Sequence, residues 1–223
     1  MTPEPRFTGR LPSLQRRLTV RLSEFLELLY CNRGYRVFST STRPEVSPYF
    51  DWPIQMQTAS TGADAVSATM KAAGTWHRDE ADRRKARGDI CYAVMDAQRC
   101  VHYAWLTRTL RDFGSLGLRV ELPAKHAWIY DCFTVPSHRG RSIFPHVLIK
   151  IVGDMHRQAA ERVWVDARVS NDASIRGILK AGFEEAALLQ RTFLFTFIRS
   201  AGRRVALNDN LSETLDAMPI RWV

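Results

Sequence analysis

The stretch AWIYDCFTVPSHRGRSI, residues 127–143, concentrates residue types that can hold an anion. An apolar, aromatic run ends at Val135-Pro136. A polar turn follows, His138-Arg139-Gly140-Arg141-Ser142, and Ile143-Phe144 opens a helical pattern. At a helix start the first backbone N–H groups lack intrahelical acceptors, and the helix dipole favours negative charge there. Arg139 and Arg141 add charge and directed donors. The segment therefore reads as a strand, a phosphate-holding turn and a helix. The plainer alternative is an ordinary strand-to-helix connection carrying two solvated arginines.

A second segment carries a matching signal. Residues 162–168, RVWVDAR, read as a buried strand; Asn171-Asp172-Ala173-Ser174-Ile175 and then Leu179-Lys180-Ala181-Gly182-Phe183 follow. In this order the segments resemble the GNAT superfamily of N-acyltransferases. There a strand ending V-x-P leads to a pyrophosphate loop Q/R-x-x-G-x-G/A and a long helix, and a further strand leads to an N-x-x-S/A…K-x-GF helix. Thr134-Val135-Pro136 stands at the V-x-P place. In the loop Ser137–Ser142 the central Arg139-Gly140 matches, Ser137 replaces Gln/Arg, and Ser142 replaces the final small residue. Ser is tolerated there if the backbone is helical. The resemblance covers residues 89–198, and two motifs in the right order are far more specific than either alone.

The resemblance implies an α/β (α+β) fold: a mixed, mostly antiparallel sheet flanked by helices, with splayed central strands that admit a pantetheine arm. It implies acetyl-CoA or another acyl-CoA as co-substrate, no metal, and a small-molecule or protein amine as acceptor. Acyl transfer from a thioester needs the donor carbonyl polarised, a proton removed from the amine, and preferably a proton for the leaving thiolate. The resemblance assigns the first task to backbone N–H groups of Phe133, Thr134 and Val135. It sets His138, Arg139, Gly140, Arg141, Ser142 and Ile143 around the pyrophosphate, and Asn171 and Ser174 near the thioester.

Asp131 is the only acidic residue of its strand, and many relatives carry an acid on this strand as base. Two-residue alternation puts Asp131, Phe133 and Val135 on one face and Cys132 on the other. Asp131 is thus the candidate base, with Tyr130 or a water held by Ser174 in reserve; pairing with an arginine is the structural alternative. Cys132 reads as core rather than as an acyl-enzyme nucleophile. Ile178 stands where many relatives carry the tyrosine that protonates the thiolate, so the acid is left open.

Length and composition agree with such a domain. A chain of 223 residues with 45% hydrophobic residues can bury a sizeable core. The formal charge of +9 suits nucleic acid, an anionic membrane or an acidic small molecule such as CoA. The four cysteines Cys31, Cys91, Cys100 and Cys132 form no C-x-x-C pair and no metal spacing with histidine. With no membrane-length apolar run and no signal-peptide core, they point to a reduced, cytoplasmic protein. No P-loop, dinucleotide fingerprint or nucleophile elbow is present.

Along the chain, residues 1–13 read as a flexible basic arm and 14–207 as a single domain. Within it, 14–88 form the N-terminal acceptor-side part and 89–198 the acyl-CoA-binding core; 208–223 read as a C-terminal tail. Residues 14–30 turn helical, Tyr35–Ser39 form a strand, and Tyr49, Phe50 and Trp52 pack under a loop or wall an acceptor pocket. Residues 63–87 read as one helix ended by Gly88, its HRDEADRRKAR run being a solvated face of interleaved charge. A hairpin spans 90–106 and 107–124 are an undefined connection. A strand at 126–135 leads to a helix at 143–160, with Ile143, Val147, Leu148, Ile151, Val152 and Met155 as its buried stripe. Helix 172–181, a long strand at 185–199 and a short one at 205–207 follow. Phe193, Phe195 and Phe197 read as core or homodimer packing, or as the lining of a donor tunnel.

Two other classes stay open. One is an acyl-CoA-binding module without turnover, which Ser137, Ser142 and Ile178 favour. The other is a basic nucleic-acid-binding protein, which lacks any helix-turn-helix, zinc or RNP pattern.

Overall fold

The computed structural model describes residues 30–42, 55–58, 63–72, 74, 80–194, 198–206, 208, 213–215 and 217–222. The expected arm at 1–13, the helix expected at 14–30 apart from Tyr30, which begins a strand, the cluster Tyr49, Phe50 and Trp52, and Phe195 and Phe197 lie outside these residues.

β-branched and aromatic alternation builds most of the described chain. The strands are Tyr30–Ser41 (β1), Gln55–Thr58 (β2), Ile90–Asp96 (β3), Arg99–Thr107 (β4), Leu110–Phe113 (β5), Leu118–Glu121 (β6), His126–Thr134 (β7), Arg162–Arg168 (β8), Glu184–Leu194 (β9), Ile198–Ala206 (β10) and Ile220–Trp222 (β11). The helices are Ala63–Ala72 (α1), Glu80–Ala86 (α2), Ile143–Arg157 (α3) and Asp172–Lys180 (α4). Eight strands form one sheet in the order β10-β9-β1-β8-β7-β4-β3-β2, and β11-β6-β5 form a second. Every pairing is antiparallel except β7 with β8, which α3 joins as a crossover. The mixed, mostly antiparallel sheet matches the expected fold class.

The parallel pair is short. His126–Ile129 pair with Arg162–Val165, and beyond Ile129 and Val165 the two strands have no further rungs. This is the expected splay at the centre of the sheet.

The large side chains divide between the two faces of the sheet. Trp105, Trp128 and Trp164 fill one face, with Trp128 and Trp164 stacked at 5.7 Å between ring centroids. Beneath α3 and α4 lie Ile129, Val163 and Val165, in one cluster with Ile175 and Ile178 of α4. The predicted α3 stripe, Ile143 through Met155, is buried throughout. Each such side chain contributes about 1.5–3 kcal/mol relative to exposure. Pro145 sits in the first turn of α3, where its missing N–H costs least.

Several boundaries differ from the sequence reading. Residues 63–87 are two helices rather than one, with Gly74 (φ 87°) between them. Residues 107–124 contain the β5–β6 hairpin, whose Leu118 and Val120 face inward while Arg119 and Glu121 face out. The stretch 185–199 divides into β9 and β10, and the latter takes in Val205 and Ala206. In the segment read as a tail, Leu215 and Met218 are buried and β11 pairs with β6. A three-residue strand has too short a period to be seen in sequence; its partner supplies the order.

The most consequential difference lies in β7. Asp131 has φ 46°, in the left-handed region, and the register with β4 shifts there: Tyr103 opposes Phe133, but Trp105 opposes Tyr130. One extra residue on β7 is a bulge, and a bulge reverses side-chain parity. Phe133 therefore joins the tryptophan face, whereas Cys132 and Val135 pack beneath α3. The expectation that Asp131, Phe133 and Val135 share a face fails at Phe133 because of the bulge, and at Val135 because β7 ends at Thr134 and its alternation ends with it.

Candidate active site

Two clefts flank β7 where it parts from β8. The first, about 430 Å³, lies at the start of α3 and is lined by the 138–145 loop, by Cys132, Phe133 and Thr134, and by Asn171 and Ser174. A 3-10 turn at Pro136–His138 leads into it. Gly140 has φ 75°, and a side chain there would meet only open space. Ser142, the N-cap of α3, has φ 57° and ψ 18°. That backbone is left-handed rather than right-handed helical, which costs a serine about 1–2 kcal/mol and explains why a small residue or glycine suits the place.

Side chains of the turn are largely braced. His138 Nε2 lies 3.1 Å from Asp96 Oδ2, and its Nδ1 lies 3.0 Å from Ser137 Oγ. Arg139 Nε donates to the Thr134 carbonyl at 3.1 Å, and its guanidinium sits over the Phe133 ring. Lys180, the lysine of K-x-GF, donates to Ser142 Oγ at 2.9 Å. The second motif thus touches the first. Arg141 is exposed at the mouth, and Ile143 is buried at the base of α3. Asn171 caps α4 by accepting the Ser174 N–H at 3.1 Å.

The expected backbone donors separate. Val135 N–H donates to the Val101 carbonyl at 3.0 Å, so it is spent on β4 and cannot hold a donor carbonyl. In an antiparallel ladder successive residues point to opposite sides, so the Phe133 N–H also turns to β4 and the Thr134 N–H turns to the gap. Behind Thr134 stands His102, fully buried, its Nδ1 2.7 Å from Thr134 Oγ1 and its Nε2 without a hydrogen-bond partner. Burial holds its pKa down at about 3, so the ring is neutral.

The second cleft, about 950 Å³, is walled by ion pairs. Arg84 Nη1 binds Asp131 Oδ2 at 2.5 Å and its Nε binds Glu80 at 2.8 Å. Burial alone would lower the Arg84 pKa; Asp131 and Glu80 outweigh it and raise it. Arg111 grips Asp166 through two nitrogens at 2.8 and 3.1 Å, and Trp128 Nε1 donates to the same carboxylate. Tyr130 is buried and its hydroxyl donates to Asp89 at 2.7 Å. Burial and that bond raise its pKa, so Tyr130 is a protonated phenol rather than a base at neutral pH. Cys132 is held as a thiol by burial and the neighbouring Asp131 and Asp166, which makes it a poor nucleophile. The site residues missed in sequence are Arg84, Arg111 and Asp166. Arg84 lies in the run read as a solvated face, yet it turns inward and is only 8% exposed.

The two clefts meet. Cys132, Phe144, Asn171 and Ser174 line both. Ile178, by contrast, is a buried core residue of α4 and lines neither.

The family model described as Acetyltransferase (GNAT) family matches residues 67–183, more than half of the sequence. The chain belongs to the GNAT acetyltransferase family. Solved GNAT structures share its fold. A GCN5-related N-acetyltransferase from Sphaerobacter thermophilus superposes with TM-score 0.55 and 16% identity, over 79% of this chain and 56% of that one. A GNAT-family acetyltransferase from Colwellia psychrerythraea gives 0.51 and 13%, over 73% and 55%. A GCN5-related N-acetyltransferase from Kribbella flavida gives 0.50 and 10%, over 86% and 65%. The chain thus spans less than two thirds of the length of these relatives. No curated protein sequence matches it. Among the described residues of this GNAT chain no helix is long and apolar enough to cross a membrane, and no group of His, Cys, Asp and Glu side chains could hold a metal ion.

Proposed function

We propose that the chain is an acyl-CoA-dependent N-acyltransferase, most simply an N-acetyltransferase, that moves the acyl group directly to an amine. The observation that carries this reading is the meeting of two clefts at Cys132, Phe144, Asn171 and Ser174, beside the unpaired ends of β7 and β8. The first cleft fits a CoA donor: a left-handed Gly140 and the first-turn N–H groups of α3 suit a pyrophosphate, with Arg141 at the mouth. The gap between the strands suits the pantetheine arm, and the Thr134 N–H would polarise the thioester carbonyl.

In this reading the acceptor arrives as an ammonium and gives one proton to Asp131, directly or through water. The amine attacks the thioester carbon, the C–N bond forms and the C–S bond breaks. The second amine proton leaves with the thiolate or to solvent, since a thiol of ordinary pKa can depart without a strong acid. Asp131 has Oδ2 on Arg84, leaving Oδ1 toward the cleft. Glu80 on the same guanidinium keeps Arg84 compensated when Asp131 takes up the proton.

Calorimetry with acetyl-CoA tests the donor half. Gly140→Glu should abolish binding, because its carboxylate faces the phosphates. Gly140→Ala carries the same backbone strain without charge and should retain most of the affinity. Equal affinity in all three proteins would refute the assignment of the donor cleft.

A further inference from the structure

The walls of the second cleft can be read as a charge ledger. Arg111 is matched by Asp166, Arg119 by Asp112 at 3.0 Å, and Arg87 by the buried Asp89 at 3.0 Å. Arg84 is the exception on one side, since a single guanidinium faces two carboxylates, Asp131 and Glu80. Arg168 is the exception on the other: it lines the same cleft and has no ion pair among the described residues. Among the described residues the cleft thus presents one carboxylate charge in excess and one guanidinium in excess.

The placement of the two is informative. Asp131 is two residues beyond Ile129 on β7, and Arg168 is three beyond Val165 on β8; Ile129 and Val165 are the last paired rungs of the parallel ladder. The excess charges therefore stand on opposite banks of the gap, near the place where the two clefts meet. An ammonium at Asp131 is where an acyl acceptor must give up its proton. A guanidinium across from it is a ready partner for a carboxylate, which it can bind through two parallel hydrogen bonds.

Resting on the acceptor reading of this cleft, we infer that the acceptor is a small zwitterion, an amine that also carries a carboxylate, with its ammonium at Asp131 and its carboxylate at Arg168. A free amino acid has this charge pattern. A polyamine does not: it would bring several cations against a wall of guanidiniums, with one excess carboxylate to receive them. A phosphate monoester carries about −1.5 to −2, more than the single uncompensated Arg168 balances.

The test is thiol release from acetyl-CoA by the full chain, with amino acids, their carboxamides and diamines as acceptors. The expected result is kcat/KM about ten- to a hundredfold higher for an amino acid than for its carboxamide, the size of a charge-assisted contact. Arg168→Ala should raise KM for the amino acid by the same factor. It should leave the carboxamide and the acetyl-CoA KM unchanged, and Arg168→Lys should restore part of the loss. Arg168 is exposed, so neither variant threatens folding. Carboxamides or diamines turned over as well as amino acids would overturn the inference and leave acyltransfer standing. Acetyl-CoA binding with no amino acid accepted would also overturn the inference and leave only the donor site standing. Failure to bind acetyl-CoA at all would remove the proposed function and this inference together.

Discussion

Among the described residues the first cleft takes nearly all of its lining from two short stretches, 132–145 and 171–177, with His102 the one distant contributor. The second cleft draws on β1, α2, the β5–β6 hairpin, β7 and β8, and ion pairs spanning up to 55 positions tie α2 to β7 and the hairpin to β8. A surface that holds pyrophosphate can be made from one strand-turn-helix, because backbone N–H groups do the holding and any sequence that turns correctly supplies them. A surface that selects an acceptor needs side-chain charges at set places, and those come from wherever the tertiary fold delivers them. The first kind of site is written locally; the second is written in pairings.

The largest expected effect tests whether the excess carboxylate does chemistry. Asp131→Asn should lower the transfer rate by about a hundred- to ten-thousandfold while calorimetric affinity for acetyl-CoA stays at the parent value. Glu80 continues to compensate Arg84 in this variant, so the fold should survive. Unchanged turnover would move the base elsewhere and erase the functional distinction between the two clefts.

Next comes the ion pair that anchors the hairpin. Asp166→Ala strands the Arg111 guanidinium in a buried site and should cost about 3–5 kcal/mol, read from urea midpoints. In the parent, Asp166 outweighs the effect of burial and raises the Arg111 pKa; in the variant that support is gone, but a guanidinium is not deprotonated in proteins, so the arginine cannot escape the cost by losing its charge. A loss under about 1 kcal/mol would mean that the hairpin is held by packing alone.

His102 supplies a pH test on the donor side. Above about pH 6.5 it is neutral in both folded and unfolded chains. Below that the unfolded chain takes up a proton that the folded one refuses until about pH 3. Stability must therefore fall with falling pH across this window, by about 1.4 kcal/mol per unit from this residue. His102→Gln, which keeps a partner for Thr134, should flatten the slope between pH 6.5 and pH 5 relative to the parent. Identical slopes would show that the folded ring accepts a proton.

The smallest effect is expected at the rim. Arg119 and Asp112 have side chains about half exposed, and Arg119→Ala should shift the urea midpoint by less than about 1 kcal/mol. A loss comparable to that of Asp166→Ala would abolish the contrast between buried and rim pairs.

The same contrast governs what could be read from the sequence. The strand–turn–helix order at 126–157, the α3 stripe and the glycine that ends α4 are legible because each is local: a spacing, a period or a positive φ, here 82° at Gly182. Arg84 was hidden because a charged run on a helix looks solvated unless the inward neighbour, Asp131, is known. Arg111 was hidden because its hairpin is completed by β11, about a hundred residues later. The face of Phe133 is not legible because strict alternation has no way to count the extra residue at Asp131; the donor role that the resemblance implies for Val135 fails because its N–H is taken by the Val101 carbonyl, a partner outside the motif.

The early end of the β7–β8 ladder has a consequence for local stability. Amide protons of Trp128 and Ile129 sit within a sheet paired on both sides, while β7 from Tyr130 to Thr134 has β4 on one side and no strand on the other. The latter half should exchange with deuterium faster wherever its N–H groups face the gap. A donor whose own amides enter that gap would act as a surrogate strand and slow the exchange at Thr134 without touching the paired half. Occupancy of the site could then be followed as a protection front along a single strand, with the substrate supplying the rungs that the polypeptide omits.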